Sequence, residues 1–324
     1  MIYRTLFLAA ALLMVFVATG CSSGHTAYRV STGKTLYATS FDTAPAESGW
    51  VAYRKGKSVE ANLWMHGLDG TDGHCLRIFK DYCESPAIAI EPFKYYAVRF
   101  RSASDNKVYW SAQFFDETGK RLAADHYSSV DASDGFTDEA FCFRGRPEVG
   151  SVRIRLHGAG FPQYVDDLSV SEVTPTQAAR WADSVYATIP PLHWRPDADR
   201  WTQIPRAIER MRGGGRLRVV MLGDSIINDI SNSAWDALVE RARPGLDIEL
   251  VSSVRGGTGC WYYKDENRIE PYVLEYDPDL VIIGGISQRD DIAAIRSCIE
   301  QIRAARPGME IVLMTGIFGR VDPR

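Results

Sequence analysis

A change of hydrophobic pattern near residue 216 most constrains what this chain can fold into. Downstream of Arg216, short apolar runs alternate with segments of helical pattern, beginning with RLRVVML at 216–222. Such alternation is typical of parallel strands joined by helices. The first apolar run stops at Gly223-Asp224-Ser225, and a segment that can start a helix follows at once. We therefore expect Ser225 at the carboxyl end of a parallel strand, beside helix N–H groups.

The same alternation continues to the end of the sequence. It predicts helices over 228–243, 266–276 and 290–305, and strands over 246–254, 279–285 and 310–316. In the last of these helices, isoleucines at 292, 295, 299 and 302 follow helical spacing, so we expect that stripe to face the sheet. The prediction is a parallel sheet covered by helices on both faces.

Residues 35–173 have a different pattern, in which short runs of strand character are separated by turn-forming residues. This pattern predicts an all-β sandwich or jelly roll. Residues 174–215 are predicted to be a helical linker. Thr174 is suited to cap a helix that Pro175 begins, and a second helical piece carries apolar residues at Trp201, Ile204, Ile208 and Met211. The chain is therefore predicted to have two domains of different class.

Residues 1–20 have the pattern of a targeting segment. Arg4 supplies the initial positive charge, an apolar run covers 6–18, and a glycine stands directly before Cys21. This arrangement resembles the lipobox of bacterial lipoproteins, in which the cysteine is lipidated. The resemblance implies a membrane anchor at Cys21, a tether over 21–34, and a place in the bacterial cell envelope, at the outer membrane or the surface. An ordinary secretory signal is the alternative.

Composition narrows the classes of partner. The formal net charge is −4 and no long cluster of Lys and Arg occurs, which argues against a nucleic-acid partner. Five cysteines follow Cys21, and their spacing does not fit a zinc site. Export would allow a disulfide among Cys75, Cys83 and Cys142, but the sequence does not choose between the pairings. We expect neither a metal nor an organic cofactor.

Residues 216–324 resemble the SGNH (GDSL-like) hydrolases, which are acyl-transfer enzymes on a flavodoxin-like α/β/α sheet. The resemblance rests first on Gly223, Asp224 and Ser225 after the first predicted strand. It implies that Ser225 is the nucleophile and that its backbone N–H forms part of the oxyanion hole. The family's second block is a glycine after the next strand, and Gly256 matches it as a further oxyanion donor.

The later blocks of the family depart from its pattern. The third block, Gly-x-Asn-Asp, corresponds here to Gly285-Ile286-Ser287-Gln288. A serine hydroxyl can donate a hydrogen bond, so Ser287, or else Gln288, is a hypothetical oxyanion donor.

The last block, Asp-x-x-His, has no counterpart, and no histidine follows His193. A serine needs an adjacent base. We therefore expect either a C-terminally truncated fragment with an incomplete sheet or a degenerate relative that binds without turnover. His193 in the linker could reach the site, and Asp322 could lie near the pocket because it follows the last predicted strand. A purely structural role is the alternative for His193, and a plain loop position is the alternative for Asp322.

The two ends of the β region resemble carbohydrate-binding jelly-roll modules of bacterial envelope proteins. The matching runs are Ser40-Phe41-Asp42 and the stretch DDLSV at 166–170. In such modules the end strands often share a calcium ion, for which Asp42 and Asp167 are candidate ligands; surface carboxylates are the alternative. Aromatic residues that would stack on sugar if exposed, or fill the core if not, are Trp64, Tyr95, Tyr96, Trp110 and Tyr127. The histidines at 66, 74, 126 and 157 are expected to be structural.

Together these resemblances imply an envelope-anchored serine esterase or deacetylase. It would act on an acylated, for example acetylated, carbohydrate or another small ester through a Ser225 acyl-enzyme. The alternative, from a different class, is a catalytically inactive glycan-binding or scaffolding lipoprotein.

Overall fold

The computed structural model describes residues 33–314, except 44–46, 55–56, 60–63, 67–72, 124, 190–198, 266 and 290. The predictions for the signal segment, Cys21, His193, Asp322 and the side chain of Trp64 lie outside the described residues. Contacts divide the chain into two compact units that separate between 190 and 191. Within the described ranges, no helix combines the length and apolar character needed to cross a bilayer.

The described part of the first unit is built from antiparallel strands followed by one helix. The strands are β1 Thr35–Thr39, β2 Val51–Arg54, β3 Lys57–Val59, β4 Trp64–His66, β5 His74–Glu84, β6 Ile88–Ala89, β7 Tyr95–Ser104, β8 Val108–Phe115, β9 His126–Val130, β10 Ser133–Arg144 and β11 Ser151–Val173, and the helix is α1 Pro175–Tyr186.

The long strand β11 connects two sheets. Its residues 151–159 pair with β8 and with the end of β5, whereas residues 163–173 pair with β7, β1 and the start of β5. The register shifts between these two parts. We name the first sheet, β9-β8-β11-β5-β2-β3, sheet A, and the second, which contains β10, β7, β11, β1, the start of β5 and β4, sheet B.

The two sheets pack face to face. Trp110 of β8 contacts Phe141 of β10 with ring centroids 4.6 Å apart, and Phe114 lies 5.7 Å from Phe143. Strands β8 and β10 do not pair, so these contacts cross the core between the sheets. The predicted β-sandwich is therefore confirmed, and its strands alternate between core-facing and outward side chains because successive residues of a strand point to opposite faces.

Helix α1 packs against strands β7 and β10 of sheet B. It begins as the sequence indicates, with Thr174 accepting a hydrogen bond from the backbone N–H of Gln177 in a capping box and Pro175 in the first turn. The Trp181 indole N–H donates to the Ala140 carbonyl at 2.8 Å. The two helical pieces of the predicted linker thus belong to different units, since α1 packs on the sandwich.

The second unit is a parallel sheet with helices between its strands. Its elements are α2 Pro205–Gly213, β12 Gly215–Gly223, α3 Ser225–Ser231, α4 Trp235–Ala242, β13 Leu246–Val254, α5 Cys260–Tyr263, α6 Ile269–Tyr272, β14 Leu280–Ile283, α7 Ile292–Ala305 and β15 Glu310–Leu313. The strand order is β13-β12-β14-β15, and every described pairing is parallel. The change of pattern at residue 216 therefore does mark a separate parallel sheet.

Three local predictions in this unit differ from the structure. The helix expected over 266–276 is only the short α6, followed by a 3-10 turn at Leu274–Tyr276. The single helix over 228–243 is two helices, because Ala234 between them adopts a left-handed φ of 56°. The buried face of α7 is formed by Ala294, Cys298 and Ile302, so Ile302 is the one fully buried member of the predicted isoleucine stripe. Ile292 is 60% exposed. Small side chains face inward there because α7 packs closely on α5, where the Cys298 thiol lies 3.6 Å from the Cys260 carbonyl oxygen.

The five cysteines of the described residues are buried thiols, and none of them forms a disulfide. Burial raises the pKa of Cys75 to about 11 and that of Cys83 to about 12. The structure shows none of the disulfide pairings among Cys75, Cys83 and Cys142 that the sequence left open.

Candidate functional site

The first candidate site lies at the carboxyl ends of β12, β13 and β14. Ser225 is exposed at the start of α3, whereas Asp224 before it is fully buried. The Asp224 carboxylate accepts hydrogen bonds from the backbone N–H of Ile226 at 3.0 Å and of Ser287 at 2.7 Å. One buried carboxylate therefore fixes the turn that presents Ser225 and joins it to the loop after β14.

Glycines make this close approach sterically feasible. Gly285 has a φ of +107°, and a Cβ added there would lie 2.7 Å from Asp224 Oδ2 and still closer to Oδ1. A Cβ on Gly223 would likewise overlap the carbonyl oxygen of Gly284. Side chains at these positions would separate the ends of β12 and β14, so the glycines set the geometry around Asp224.

The loop that carries Gly256 is attached to the same strand end. The backbone N–H of Arg255 donates to the Gly223 carbonyl at 3.1 Å, and the Tyr263 hydroxyl donates to it at 2.6 Å. The Thr258 hydroxyl donates to the Gly256 carbonyl at 3.2 Å. Gly256 is exposed, so its N–H lies on an ordered loop at the surface next to the end of β12.

Of the two third-block candidates, Gln288 uses its amide to build the site. Its Oε1 accepts from the Cys260 N–H at 2.9 Å, and its Nε2 donates to the Gly284 carbonyl at 2.8 Å. The Ser287 carbonyl accepts from the Trp261 indole at 2.8 Å. The hydroxyls of Ser225 and Ser287 and the N–H groups of Ser225 and Gly256 have no hydrogen-bond partner among the residues that the structure describes. These groups are free to contact a ligand.

Asp229 lies one turn beyond Ser225 on α3, and both residues are exposed. Partial burial of its carboxyl, and then the charge of the nearby Asp224, raises the pKa of Asp229 to about 6. Sequence reasoning missed this residue, although its spacing of four from Ser225 was a signal because residues four apart share a helix face.

Replacing Asp229 with asparagine is expected to stabilise the second unit at neutral pH. The folded-state pKa is above the ordinary value, so the stability associated with Asp229 is present below pH ~4 and is lost as the pH rises through about 6. Because the side chain is exposed, we expect a gain of only about 1 kcal/mol at pH ~7.5. Urea unfolding of wild type and Asp229→Asn at pH ~4 and pH ~7.5 measures this gain. An equal difference in unfolding free energy between the two proteins at both pH values would contradict the raised pKa of Asp229.

The second candidate site is the outward face of sheet A. Strand pairing places two rows of side chains across this face. One row is Tyr53, Tyr82, His157, Tyr109 and Ser129, and the other is Val51, Glu84, Arg155, Ser111 and Tyr127. A sheet face that carries mostly tyrosines, polar and charged groups is suited to a polar ligand with apolar faces.

The aromatic rings of this face are held by their neighbours. Tyr53 and Tyr82 stack with centroids 4.8 Å apart, and the Arg155 guanidinium lies 3.9 Å from the centroid of Tyr82. Tyr109 and Tyr127 are 49% and 54% exposed. Their rings are accessible to a ligand while the centre of the face is kept in place by stacking.

Hydrogen bonds order the polar groups between these rings. Arg155 donates from Nε to Glu84 Oε1 at 2.7 Å and from a terminal nitrogen to the same oxygen. The buried Asp125 carboxylate accepts from Arg121, from the Tyr127 hydroxyl at 3.0 Å and from Gln113 Nε2 at 3.3 Å. Gln113 Oε1 is buried without a hydrogen-bond partner among the described residues, which leaves one acceptor unused.

His157 lies in the middle of this face, with its Nε2 3.1 Å from the Ser111 hydroxyl. Burial, followed by the charge of Arg155, lowers the pKa of His157. The neutral imidazole can therefore take part in hydrogen bonds as one donor and one acceptor at neutral pH.

The aromatic residues singled out in the sequence divide between core and surface. Tyr95, Tyr96 and Trp110 are buried, whereas Tyr127 is exposed on sheet A. Tyr53, Tyr82 and Tyr109 were missed. Their signal was the period-two alternation, for example in VYWSAQFF, where the residues between the core positions are tyrosine, serine and glutamine.

The two carboxylates considered for calcium have partners within the protein. Asp42 accepts from the Ser40 hydroxyl at 2.6 Å and from the His74 N–H at 3.2 Å, and the Ser40 bond is the main cause of the lowered pKa of Asp42. Asp167 lies 3.7 Å from the Arg101 guanidinium. No group of three or more potential metal ligands occurs in the part of the chain that the structure describes.

Comparisons with protein-family models and with curated proteins find no match to the chain. Among solved structures, the chain is similar to the CBM22-1 xylan-binding domain of Paenibacillus barcinonensis Xyn10C, with 12% identity, 44% of this chain and 97% of that one covered, and a TM-score of 0.34. It is similar to the C-terminal family 22 carbohydrate-binding module of Clostridium thermocellum Xyn10B, with 11% identity, 43% and 94% covered, and a TM-score of 0.33.

A third similar structure is the CBM22-1 and GH10 modules of Clostridium thermocellum xylanase 10B with xylohexaose, at 11% identity, with 64% of this chain and 36% of that one covered and a TM-score of 0.32.

Proposed function

We propose that the first unit binds carbohydrate on the outward face of sheet A. The observation that carries this proposal is the pair of exposed rings, Tyr109 and Tyr127, beside an ordered set of charged and amide groups. Sugars present apolar faces to aromatic rings and hydroxyls to polar side chains, and this face offers both.

Truncation of the exposed rings is expected to weaken glycan binding. Tyr127→Ala and Tyr109→Ala should each raise the dissociation constant about tenfold, because each removes a rigid contact surface worth about 1.4 kcal/mol. Affinity electrophoresis against a panel of soluble plant and bacterial polysaccharides identifies the ligand, and calorimetry then measures the change.

Phe161→Ala is the matched control, because Phe161 is 49% exposed on the same unit but lies between the two paired parts of β11. It should leave the affinity unchanged. Absence of binding to every polysaccharide would contradict glycan binding by this unit. Wild-type affinity in both Tyr127→Ala and Tyr109→Ala would show that sheet A is not the binding face.

As a second function, we propose that the second unit is an SGNH-type acyl hydrolase that removes acyl groups, such as acetyl, from carbohydrate or another small ester. The specific observation in favour is that Asp224 joins the Ser225 turn to the Ser287 loop at the carboxyl edge of a parallel sheet. The strand order β13-β12-β14-β15 corresponds to chain order 2-1-3-4, as in flavodoxin-like sheets, and supports the proposal.

In this mechanism the Ser225 hydroxyl attacks the ester carbonyl, and its proton passes to a general base. The described residues of the second unit include no histidine, so another group must fill that role. The alcohol then leaves with a proton, and water hydrolyses the acyl-enzyme. The free N–H groups of Ser225 and Gly256 and the Ser287 hydroxyl would stabilise the oxyanion. Lipidation of Cys21 would hold the protein at the cell envelope, near an acylated polysaccharide.

Loss of the Ser225 hydroxyl is expected to abolish covalent labelling by a fluorophosphonate. The reagent forms a bond only with an activated serine, so Ser225→Ala should give no labelled protein and Ser233→Ala should label like wild type. Mass spectrometry of the labelled peptide identifies the residue. Polysaccharide binding without labelling would favour the alternative function, an inactive glycan-binding or scaffolding protein.

A further inference from the structure

A cleft of about 290 Å³ lies at the amino-terminal edge of the parallel sheet, at the end away from Ser225. Its walls come from the start of α2, the turn before β14 and the turn before β15. The lining residues that matter are Arg206, Arg210, Arg306, Asp279 and Met309, with prolines at 278 and 307. Three guanidinium groups therefore share one cleft with a single carboxylate.

The rigid frame of the cleft depends on Glu310. Its buried carboxylate accepts hydrogen bonds from the backbone N–H groups of Arg206 at 2.7 Å and Ala207 at 2.8 Å. These two hydrogen bonds tie the start of α2 to β15. Arg206 and Arg210 are four residues apart, so they share one face of the helix. Because Glu310 already satisfies the first N–H groups of the helix, the arginine side chains are the donors that remain for a ligand.

The arginines are only partly used by the protein. Arg206 donates to the Gly308 carbonyl at 3.3 Å, and Arg306 lies 2.8 Å from Asp277 outside the cleft. Arg210 lies 3.1 Å from Asp279 and also donates to the Arg216 carbonyl at 3.2 Å. A guanidinium group has five N–H donors, so these contacts leave most of them available. All three side chains are exposed, which gives a ligand access to them.

We propose that this cleft binds the phosphate or sulfate group of a small organic ester. Guanidinium forks match the oxygens of a tetrahedral oxyanion, which offers three terminal oxygens where a carboxylate offers two. A phosphate monoester also carries a second negative charge at neutral pH, which several guanidinium groups together favour. The prolines and Met309 supply an apolar wall for the organic part. The volume is close to the lower end of about 300 Å³ for small-molecule pockets, which fits a single sugar-sized group.

The competing explanation is that the arginines serve only ion pairs that hold the edge of the sheet. The two explanations differ in whether a lysine at position 210 could replace the guanidinium group of Arg210. An ion pair with Asp279 tolerates lysine at 210 because the charge is kept, whereas bidentate binding of a tetrahedral anion does not.

The test is calorimetric titration of the full chain with inorganic phosphate, sulfate, glucose 6-phosphate and acetate, each at constant ionic strength in chloride. We expect saturable binding of phosphate, of sulfate or of both, and tighter binding of glucose 6-phosphate than of phosphate. The relative affinities of phosphate and sulfate identify the ester class. Titration with acetate should show no saturable binding. Arg210→Lys and Arg306→Gln should each weaken binding about tenfold.

Arg243→Gln is the control, because Arg243 is an exposed arginine of the same unit that does not line the cleft. It should bind like wild type, and circular dichroism establishes that each variant is folded. Absence of saturable binding by phosphate, sulfate and the sugar phosphate overturns the proposal. Equal affinity in wild type, Arg210→Lys and Arg306→Gln overturns it as well.

Discussion

Alanine at Gly285 is expected to destabilise the second unit by about 4 kcal/mol, through backbone strain and the displacement of a buried, hydrogen-bonded carboxylate. The backbone at Gly285 has a φ of +107°, which side chains disfavour. The added methyl group would also occupy the space of the Asp224 carboxylate. Asp224 would then lose its bonds to the N–H groups of Ile226 and Ser287 while remaining buried.

Urea unfolding, monitored by the hydrogen exchange of backbone amides in β12 and β14, measures the stability of the second unit separately from that of the first. Gly257→Ala is the matched control, because Gly257 also has a positive φ, +65°, but nothing lies within 4 Å of an added Cβ. It should lose only about 1 kcal/mol from backbone strain. Equal losses in the two variants would show that overlap with Asp224 is unimportant.

Removal of Glu84 is expected to destabilise the sandwich by about 3 kcal/mol, because it leaves Arg155 as an uncompensated charge in a largely buried setting. The two side chains are 7% and 18% exposed and lie at the centre of the proposed glycan-binding face. Glu84→Ala should therefore also weaken glycan binding, since Arg155 would no longer be held over Tyr82.

A double-mutant cycle separates the free energy of the Glu84–Arg155 ion pair from the cost of leaving one of the two charges buried without its partner. The double variant Glu84→Ala/Arg155→Ala should be more stable than Glu84→Ala alone, because it removes the unpaired charge. Glu91→Ala is the control, since Glu91 forms an exposed pair with Lys94. It should change stability by less than about 1 kcal/mol. A Glu84→Ala effect no larger than this would contradict the role of the buried pair.

Much of the fold was predictable because it depends on hydrophobic periodicity. Strand runs such as VYWSAQFF and apolar runs such as RLRVVML carry their burial pattern in the residues themselves, and the cap at Thr174 depends only on its neighbours. The division of 228–243 into two helices was missed, because the left-handed turn at Ala234 is imposed by packing and not by the propensity of alanine.

The candidate sites were predictable to different degrees. Ser225 stands at a strand end that the sequence marks, so its position follows from local pattern. Gln288 shows what the sequence could not predict. Its residue type suits an oxyanion donor, but its side-chain amide already forms hydrogen bonds with the backbone of Cys260 and Gly284. On sheet A, the sequence indicated Tyr127 but not Tyr53 or Tyr82, whose stacking depends on which strands lie side by side.

The sequence by itself determined the classes of the two units, the change of pattern at residue 216, and the strand-turn-helix setting of Ser225. These features can be predicted from hydrophobic periodicity and turn-forming residues, which are local properties of the sequence. Only the tertiary structure decided that Asp224 joins the Ser225 turn to Ser287, and that Glu84, Arg155 and the tyrosines form one face. Those partners are tens of residues apart, and strand register, which brings them together, is set by the packing of whole sheets.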